Sequence, residues 1–323
     1  MIIAIPDDYQ QLVATLDCYA QLAVHDVRIF QGPACNADEL AQQLNDAEAV
    51  ALIRERTSIT RELIERLPRL RHIAQTGRST HHVDVAACTA HGITVSAGTH
   101  ASAHTIAEYT WALILASRRD IVGQVQTMRR GEWRHRLGLG IHGKTLGIHG
   151  FGKIGSLVGQ IGKSFGMRVI TWGGEESRRR ALESGCEFAA GKRDLYAQSD
   201  VLSLNLRLSE RTRHSITADD LGAMKSSALL VNTARAEIIA PGALVAALER
   251  GRPGYAAVDV FENEPVLRGE HPLLKMDNVV CTPHSAWIEK EMFESYFGEA
   301  FANLVKFAQG APANLVNPAA VQR

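Results

Sequence analysis

The chain has 323 residues, enough for about two domains, and its 46% hydrophobic and 22% charged residues place it far from the disordered class. Lys+Arg and Asp+Glu both number 35, so there is no basic surplus to drive sequence-independent binding of nucleic acid. The longest nearly apolar stretch, Ile106 to Ala116, carries Glu108 and is too short to cross a bilayer, so no membrane partner is expected.

Short runs rich in Val, Ile and Leu alternate with helical spacing from the first residues onward. The first set is Ile2–Ile5, Val27–Phe30, Val50–Ile53, His72–Ala74 and Ile93–Val95. Between them, Tyr9 to Leu16 and Ala37 to Leu44 carry helical periodicity. This βαβ alternation predicts a parallel sheet with helices on both faces. Ala101 to Arg119 then reads as a long helix joining two domains, and Gly123–His142, with several Arg and Gly residues, as a surface excursion.

A second series begins at Thr145. Its candidate strands are Thr145–Ile148, Arg168–Trp172, Cys186–Ala189, Val201–Leu206, Ala228–Thr233, Tyr255–Val260 and Asn278–Cys281. They make up one complete doubly wound sheet. The tail from Glu289 to Gln309 is again helical in spacing and is expected to fold back onto the first domain. The expectation is thus α/β: two doubly wound parallel-sheet domains, one of Rossmann type over 101–286, inserted in a flavodoxin-like one made of 1–100 and 287–323. Five dispersed cysteines (Cys18, Cys35, Cys88, Cys186, Cys281) lack any C-x-x-C pair, and Met-Ile-Ile-Ala-Ile-Pro lacks the marks of a secretory leader. Reduced thiols in a cytoplasm are the expectation.

The clearest local signal is Gly150-Phe151-Gly152-Lys153-Ile154-Gly155, after an apolar strand and at the head of a helical pattern. A strand, a glycine turn and a helix N-terminus together aim backbone N–H groups and the positive helix end at a pyrophosphate. A second constellation spans some fifty residues. Arg235, Glu264 and His284 each follow a buried strand, in Leu229–Arg235, Asp259–Pro265 and Cys281–His284. The carboxyl ends of the strands form the ligand crevice of such a sheet, so a guanidinium, a carboxylate and an imidazole arrive at the edge that carries the glycine loop.

Taken with Gly143-Lys144-Thr145-Leu146-Gly147, Val231-Asn232-Thr233-Ala234-Arg235, Asp259-Val260-Phe261-Glu262-Asn263-Glu264-Pro265 and Thr282-Pro283-His284, the chain resembles the D-isomer-specific 2-hydroxyacid dehydrogenases. These include phosphoglycerate dehydrogenases and glyoxylate/hydroxypyruvate reductases. The resemblance covers nearly the whole chain. It implies an NAD(P)-dependent oxidoreductase acting on a small 2-keto or D-2-hydroxy acid, with Arg235, Glu264 and His284 as the catalytic trio. It also implies Asp259 on the nicotinamide carboxamide, and part of the substrate site from Val50 to Gly77. The cofactor set takes in Gly150, Phe151, Gly152, Lys153, Ile154, Thr105, Thr233 and Ala234. A homodimer is implied as well, with the long helix and the Gly123–His142 excursion embracing the partner and Trp111, Leu115 and Trp133 available for its surface.

The roles agree with the chemistry of the side chains. Arg235 offers a planar fork for a carboxylate and keto oxygen, His284 exchanges a proton near neutral pH, and Glu264 favours the imidazolium. Backbone N–H groups around Thr76-Gly77-Arg78 are candidates for the far side of the substrate carboxylate. Arg54 and Arg78 are candidates for a second anionic group, and Trp287 for a wall of the pocket. Two departures from the family pattern concern loops near the cofactor: Ala236 follows the catalytic Arg in place of Gly, and Asn205-Leu206-Arg207 replaces His-x-Pro. His81-His82 and the stretch His135 to His149 show no zinc-ligand spacing, so no metal is expected.

Two alternatives differ in kind. A formate-dehydrogenase-like enzyme pairs its His with Gln, whereas this chain has Glu264. A non-catalytic dinucleotide-sensing interaction protein, like the corepressors that resemble this family, typically carries partner-binding extensions, and none is expected after the last helix. For the cofactor, the usual acidic residue after the second strand is replaced by Gly173 and Gly174, followed by Glu175 and Glu176 and then Arg178 to Arg180. Missing carboxylate favours NADP and nearby glutamates favour NAD, so use of either, with a lean to NAD, is the expectation.

Overall fold

The computed structural model describes residues 1–100, 102–133 and 136–322. Ala101, where the joining helix was expected to begin, and His135 lie outside the described residues. The chain divides into two compact units: 1–102 with 288–323, and 103–287.

The first unit holds a five-stranded parallel sheet of β1 (Ile2–Ile5), β2 (Asp26–Ile29), β3 (Ala49–Leu52), β4 (His72–Gln75) and β5 (Thr94–Ala97), in the order β2-β1-β3-β4-β5. That is the flavodoxin-like order. β3, β4 and β5 are buried at every residue, as a parallel sheet covered on both faces requires, whereas edge strand β2 is half exposed. The helix Lys290–Ala308 supplies one cover through Phe293, Tyr296, Phe297 and Phe301.

One local expectation fails. Tyr9 to Leu16 forms no α-helix; the segment takes short 3₁₀ turns at Val13–Thr15 and Asp17–Leu22. Asp8 takes the Leu12 and Val13 amides on its two carboxylate oxygens, and Gln11 sits at φ +56°, which breaks any helical run.

The second unit holds seven parallel strands: β6 (Thr145–His149), β7 (Arg168–Trp172), β8 (Glu187–Phe188), β9 (Val201–Leu204), β10 (Leu229–Asn232), β11 (Tyr255–Val258) and β12 (Val279–Cys281). Their order is β12-β11-β10-β9-β6-β7-β8, the doubly wound Rossmann order with one further strand. Neighbouring residues of one strand enter opposite cores. Val169, Val201, Leu229 and Ala257 pack on one face with Trp111, and Ile170, Leu202, Leu230 and Ala256 pack on the other with Tyr196. The helix Ala103–Arg118 belongs to this unit, where the Trp111 indole donates to the Val158 carbonyl at 3.1 Å. Trp111 is therefore core and not partner surface, which corrects that expectation. Part of the surface excursion is also a helix, Ile121–Arg129.

Each unit buries a histidine. The His72 ring contacts the Thr94 and Ser96 hydroxyls at 2.7 and 3.1 Å, and His149 contacts the Tyr196 hydroxyl at 3.0 Å. Burial pushes both imidazoles down to about 4. A depressed imidazole is neutral in the fold while the unfolded chain binds protons from pH 6.5 downward, so stability declines as pH falls from 6.5 to about 4. Each such shift is worth roughly 3 kcal/mol at the acid end. Urea midpoints at pH 7 and pH 4.5 should fall less steeply for His72→Gln than for the parent; parallel slopes would remove His72 from the acid response.

Candidate active site

β6 runs into the glycine turn. Gly150 has φ +95°, and a Cβ there would lie 2.7 Å from the Asn205 carbonyl oxygen, so only glycine fits. A Cβ on Gly155 would lie 2.4 Å from the Gly150 carbonyl oxygen, which fixes how closely the helix Lys153–Ser164 approaches the turn. Gly152 is the opposite case: nothing lies within 4 Å of the position its Cβ would take. Among the described residues no acceptor takes the Lys153 or Ile154 amide. An open backbone face with free N–H groups at a helix N-terminus is what a pyrophosphate needs, so the residues present fit the cofactor that the turn implies. Phe151 contributes differently from the expectation. Its ring is buried in the core and its amide donates to the Ser177 hydroxyl at 3.2 Å, so it shapes the turn and offers no free group.

The three strand-end residues follow β10, β11 and β12. Arg235 comes just after β10, and its Nη1 donates to the Ala234 carbonyl at 2.7 Å. Past β11, the Glu264 Oε1 accepts the Phe261 amide at 2.9 Å. Its Oε2 meets His284 Nδ1 at 2.6 Å. The structure therefore brings Glu264 and His284 into direct contact. Burial alone would push the Glu264 carboxyl up. The hydrogen bond and charge of His284, the Phe261 amide and the charge of Arg235 outweigh it and hold Glu264 below the ordinary carboxylate range.

His284 sits at φ +51°, a strained conformation for a non-glycine residue, and strain of this kind needs a fixed surround. Asp259 supplies it. The Asp259 carboxylate is fully buried; Oδ1 accepts the Thr282 hydroxyl and the Ser285 amide, and Oδ2 accepts the Ala286 amide. Burial pushes this carboxyl above the ordinary Asp value, against those hydrogen bonds and the His284 charge. The Asp259 oxygens thus hold the loop that carries His284, a role the sequence did not suggest. The Tyr109 side chain, read in the sequence only as part of an apolar stripe, comes from the helix Ala103–Arg118 to lie beside Thr282, Ser285 and Asp259, where burial pushes its hydroxyl above the ordinary value. Nothing in a 3–4 spacing distinguishes such a tyrosine from a core residue.

Other expected cofactor residues are scaffold. The Thr233 hydroxyl pairs with Thr110 at 2.9 Å, the Ala234 amide donates to Asn232 Oδ1, and Thr105 is buried. Trp287 is 6% exposed, so its ring is packed. At the end of β7, Gly173 and Gly174 precede the helix Glu175–Glu183.

In the first unit, Arg54 follows β3 at φ +54° with its guanidinium over the Tyr296 ring at 5.2 Å. Its Nη1 lies 2.6 Å from where a Cβ on Gly77 would stand. Thr76 is corrected to a structural role, because its amide donates to the Leu52 carbonyl and its hydroxyl accepts the Arg54 amide. The Gly77 and Arg78 amides have no acceptor among the described residues, and the Arg78 side chain is exposed. No group of three or more His, Cys, Asp or Glu among the described residues is arranged to hold a metal, and no described helix is long and apolar enough to cross a membrane.

Residues 111–286 match the family described as D-isomer specific 2-hydroxyacid dehydrogenase, NAD binding domain. The chain belongs to that family. It is 42% identical over 291 residues to a glyoxylate reductase of Aeropyrum pernix, covering 87% of this chain and 86% of that one. It is 38% identical over 249 residues to a D-3-phosphoglycerate dehydrogenase of Methanocaldococcus jannaschii, covering 76% of this chain and 47% of the other. The crystal structure of a phosphoglycerate oxidoreductase from Vibrio cholerae superposes with a TM-score of 0.92 at 45% identity, over 96% of this chain and all of that one. As a family member the protein is an NAD(P)-dependent D-2-hydroxyacid dehydrogenase, an oxidoreductase acting on CH–OH donors.

The Asp259 clamp generates a test. In Asp259→Asn the buried amide brings an NH₂ donor among groups that already donate, so unfolding free energy should drop by about 1–3 kcal/mol in urea titration. An unchanged midpoint would show that the three bonds do not hold the loop.

Proposed function

We propose that the enzyme interconverts a small 2-keto acid and its D-2-hydroxy acid, with Arg235, Glu264 and His284 as its working residues. The observation that carries this reading is the 2.6 Å Glu264–His284 pair, placed with Arg235 after successive strands of the sheet that bears the glycine turn. The bond at Nδ1 leaves the His284 Nε2 for the substrate oxygen. In reduction His284 donates a proton there, and in oxidation it takes one back. Glu264, held by the Phe261 amide, fixes the orientation of the ring through Nδ1. Arg235 orients the substrate through its carboxylate and keto oxygen. The nicotinamide, when bound at the glycine turn, supplies the hydride. The units divide the work as the sequence suggests: 101–286 for cofactor, 1–100 with 287–323 for substrate.

The relatives' names, glyoxylate reductase and D-3-phosphoglycerate dehydrogenase, support glyoxylate and 3-phosphohydroxypyruvate as candidate substrates, and hydroxypyruvate is a third candidate of the same 2-keto acid class. Arg78, exposed beside the open Gly77 and Arg78 amides, favours a substrate with an anionic group in that region. Rates of NADH and NADPH oxidation with those three acids and pyruvate decide among them; no turnover with any would overturn the reading. His284→Ala and Arg235→Ala should each lower kcat/KM by about two orders of magnitude or more and leave dinucleotide binding intact. Full activity in His284→Ala would take it out of the mechanism. Glu264→Gln replaces the charged acceptor of the His284 Nδ1 bond with a neutral amide, so kcat/KM at pH 7 should fall by about tenfold or more with dinucleotide binding intact, and an unchanged value would take the pair out of the mechanism.

A cytoplasmic homodimer completes the proposal. All five cysteines are free thiols. Residues from 116–132, 136–139 and 274–280 line a groove of about 730 Å³, and Val125, Met128, Trp133 (87% exposed) and Leu137 (97%) stand open to solvent. A second copy covering that surface accounts for its apolar exposure. Light scattering should give twice the 35.2 kDa chain mass, and the single-chain mass at all concentrations would exclude it.

A further inference from the structure

The ribose end of the cofactor site departs from the common Rossmann arrangement, in which an acid at the end of the second strand takes the ribose hydroxyls. Here β7 ends at Trp172 and is followed by Gly173 and Gly174. This strand end still abuts the pyrophosphate turn. The Gly150 amide donates to the Trp172 carbonyl at 2.8 Å, and a Cβ on Gly173 would stand 3.6 Å from the Gly150 Cα. Gly174 is open, with nothing within 4 Å of its Cβ position. Gly174 faces open space, and the strand end lacks the usual carboxylate.

The neighbouring charges are not equivalent. Glu176 bonds Arg179 at 2.7 Å and Arg180 at 2.8 Å, and the Arg179 hydrogen bond takes its carboxyl down to about 2. Arg179 also reaches Glu183 at 2.6 Å. The Arg178 guanidinium lies over the Phe188 ring at 5.8 Å. The three arginines that follow the glycines are thus engaged along their own helix or on an aromatic face. Lys153, exposed at the head of its helix, neighbours the pyrophosphate position. Glu175 differs from all of these: it is exposed, it is the first residue of the helix Glu175–Glu183, it directly follows the open Gly174, and none of the described residues partners its carboxylate.

We infer that Glu175 takes over the role of the missing strand-end acid, accepting the adenosine ribose hydroxyls and setting a preference for NADH over NADPH. An ionised carboxylate is an acceptor-only group that fits a diol and repels a 2′-phosphate. This inference rests on the NAD(P) reading of the glycine turn and adds the residue that discriminates between the two cofactors.

The test is equilibrium binding by calorimetry, independent of turnover. NADH, NADPH, 5′-AMP and 2′,5′-ADP are titrated into the parent, Glu175→Gln and Glu175→Asp. The parent should bind NADH about tenfold or more tighter than NADPH, as expected for hydrogen bonds to a charged acceptor. Glu175→Gln should shrink that ratio about tenfold, weakening NADH and strengthening NADPH, with the two adenosine phosphates following the same pattern. Glu175→Asp should keep most of the discrimination. Two results overturn the inference while leaving the dinucleotide site standing: a parent that prefers NADPH, or a ratio unmoved in Glu175→Gln. A parent that binds neither dinucleotide overturns the inference together with the reading beneath it.

Discussion

The buried carboxylate of Asp259 is the interaction on which the placement of His284 against Glu264 depends. It gathers donors from Thr282, Ser285 and Ala286, on both sides of His284, and so closes the loop after β12 against the end of β11. Held this way, His284 keeps a backbone conformation that a free loop would abandon, and its ring meets Glu264. Burying a carboxylate is costly, and burial does raise its pKa, but the charge-assisted bonds make the loop one object. Removing the acid would leave the imidazole attached to a loop with many conformations.

The same logic of two layers recurs at the glycine turn. Gly150 and Gly155 are small so that protein can approach protein, whereas Gly152 faces open space with no protein atom within 4 Å of its Cβ position. The Phe151 amide and ring brace the turn from below through Ser177 and the core. In unit 1 the Thr76 hydroxyl and amide brace Arg54 and the β4 end in a comparable way, while Gly77 and Arg78 keep their amides open.

Much of this was legible in the sequence, and the limits have a physical origin. Continuous apolar strands such as Val201–Leu204 and Leu229–Asn232 announce a doubly covered parallel sheet, and the residues just past them announce its functional edge. The positions of Arg235, Glu264 and His284 past successive strands were readable because strand ends are readable. Whether a polar group faces a ligand or braces the scaffold was not, because that depends on partners far away along the chain. Asp259 and Tyr109 meet the His284 loop, and Thr76 meets Leu52; none of these pairings has a periodic signature. The segment after β1 misled for a local reason: its spacing is helical, but Asp8 captures the amides that a helix would have used.

The order of the chain has a consequence for how the molecule is made. Unit 2 is one uninterrupted stretch, 103–287, whereas unit 1 is split, with 1–102 on one side and 288–323 on the other. During synthesis from the N-terminus, the Rossmann sheet has all of its strands once residue 287 has emerged. The five-stranded sheet has its strands far earlier but lacks its cover, because the helix Lys290–Ala308 emerges afterwards. The last stretch then ties back to the oldest strands: Leu315 bridges Ser96, and the Asn317 side chain accepts the Val95 amide at 2.7 Å. The unit whose strands emerge first is therefore the one whose cover emerges last, and until Lys290–Ala308 arrives the sheet face it covers is apolar surface open on the nascent chain, the part that a chaperone would be called on to shield.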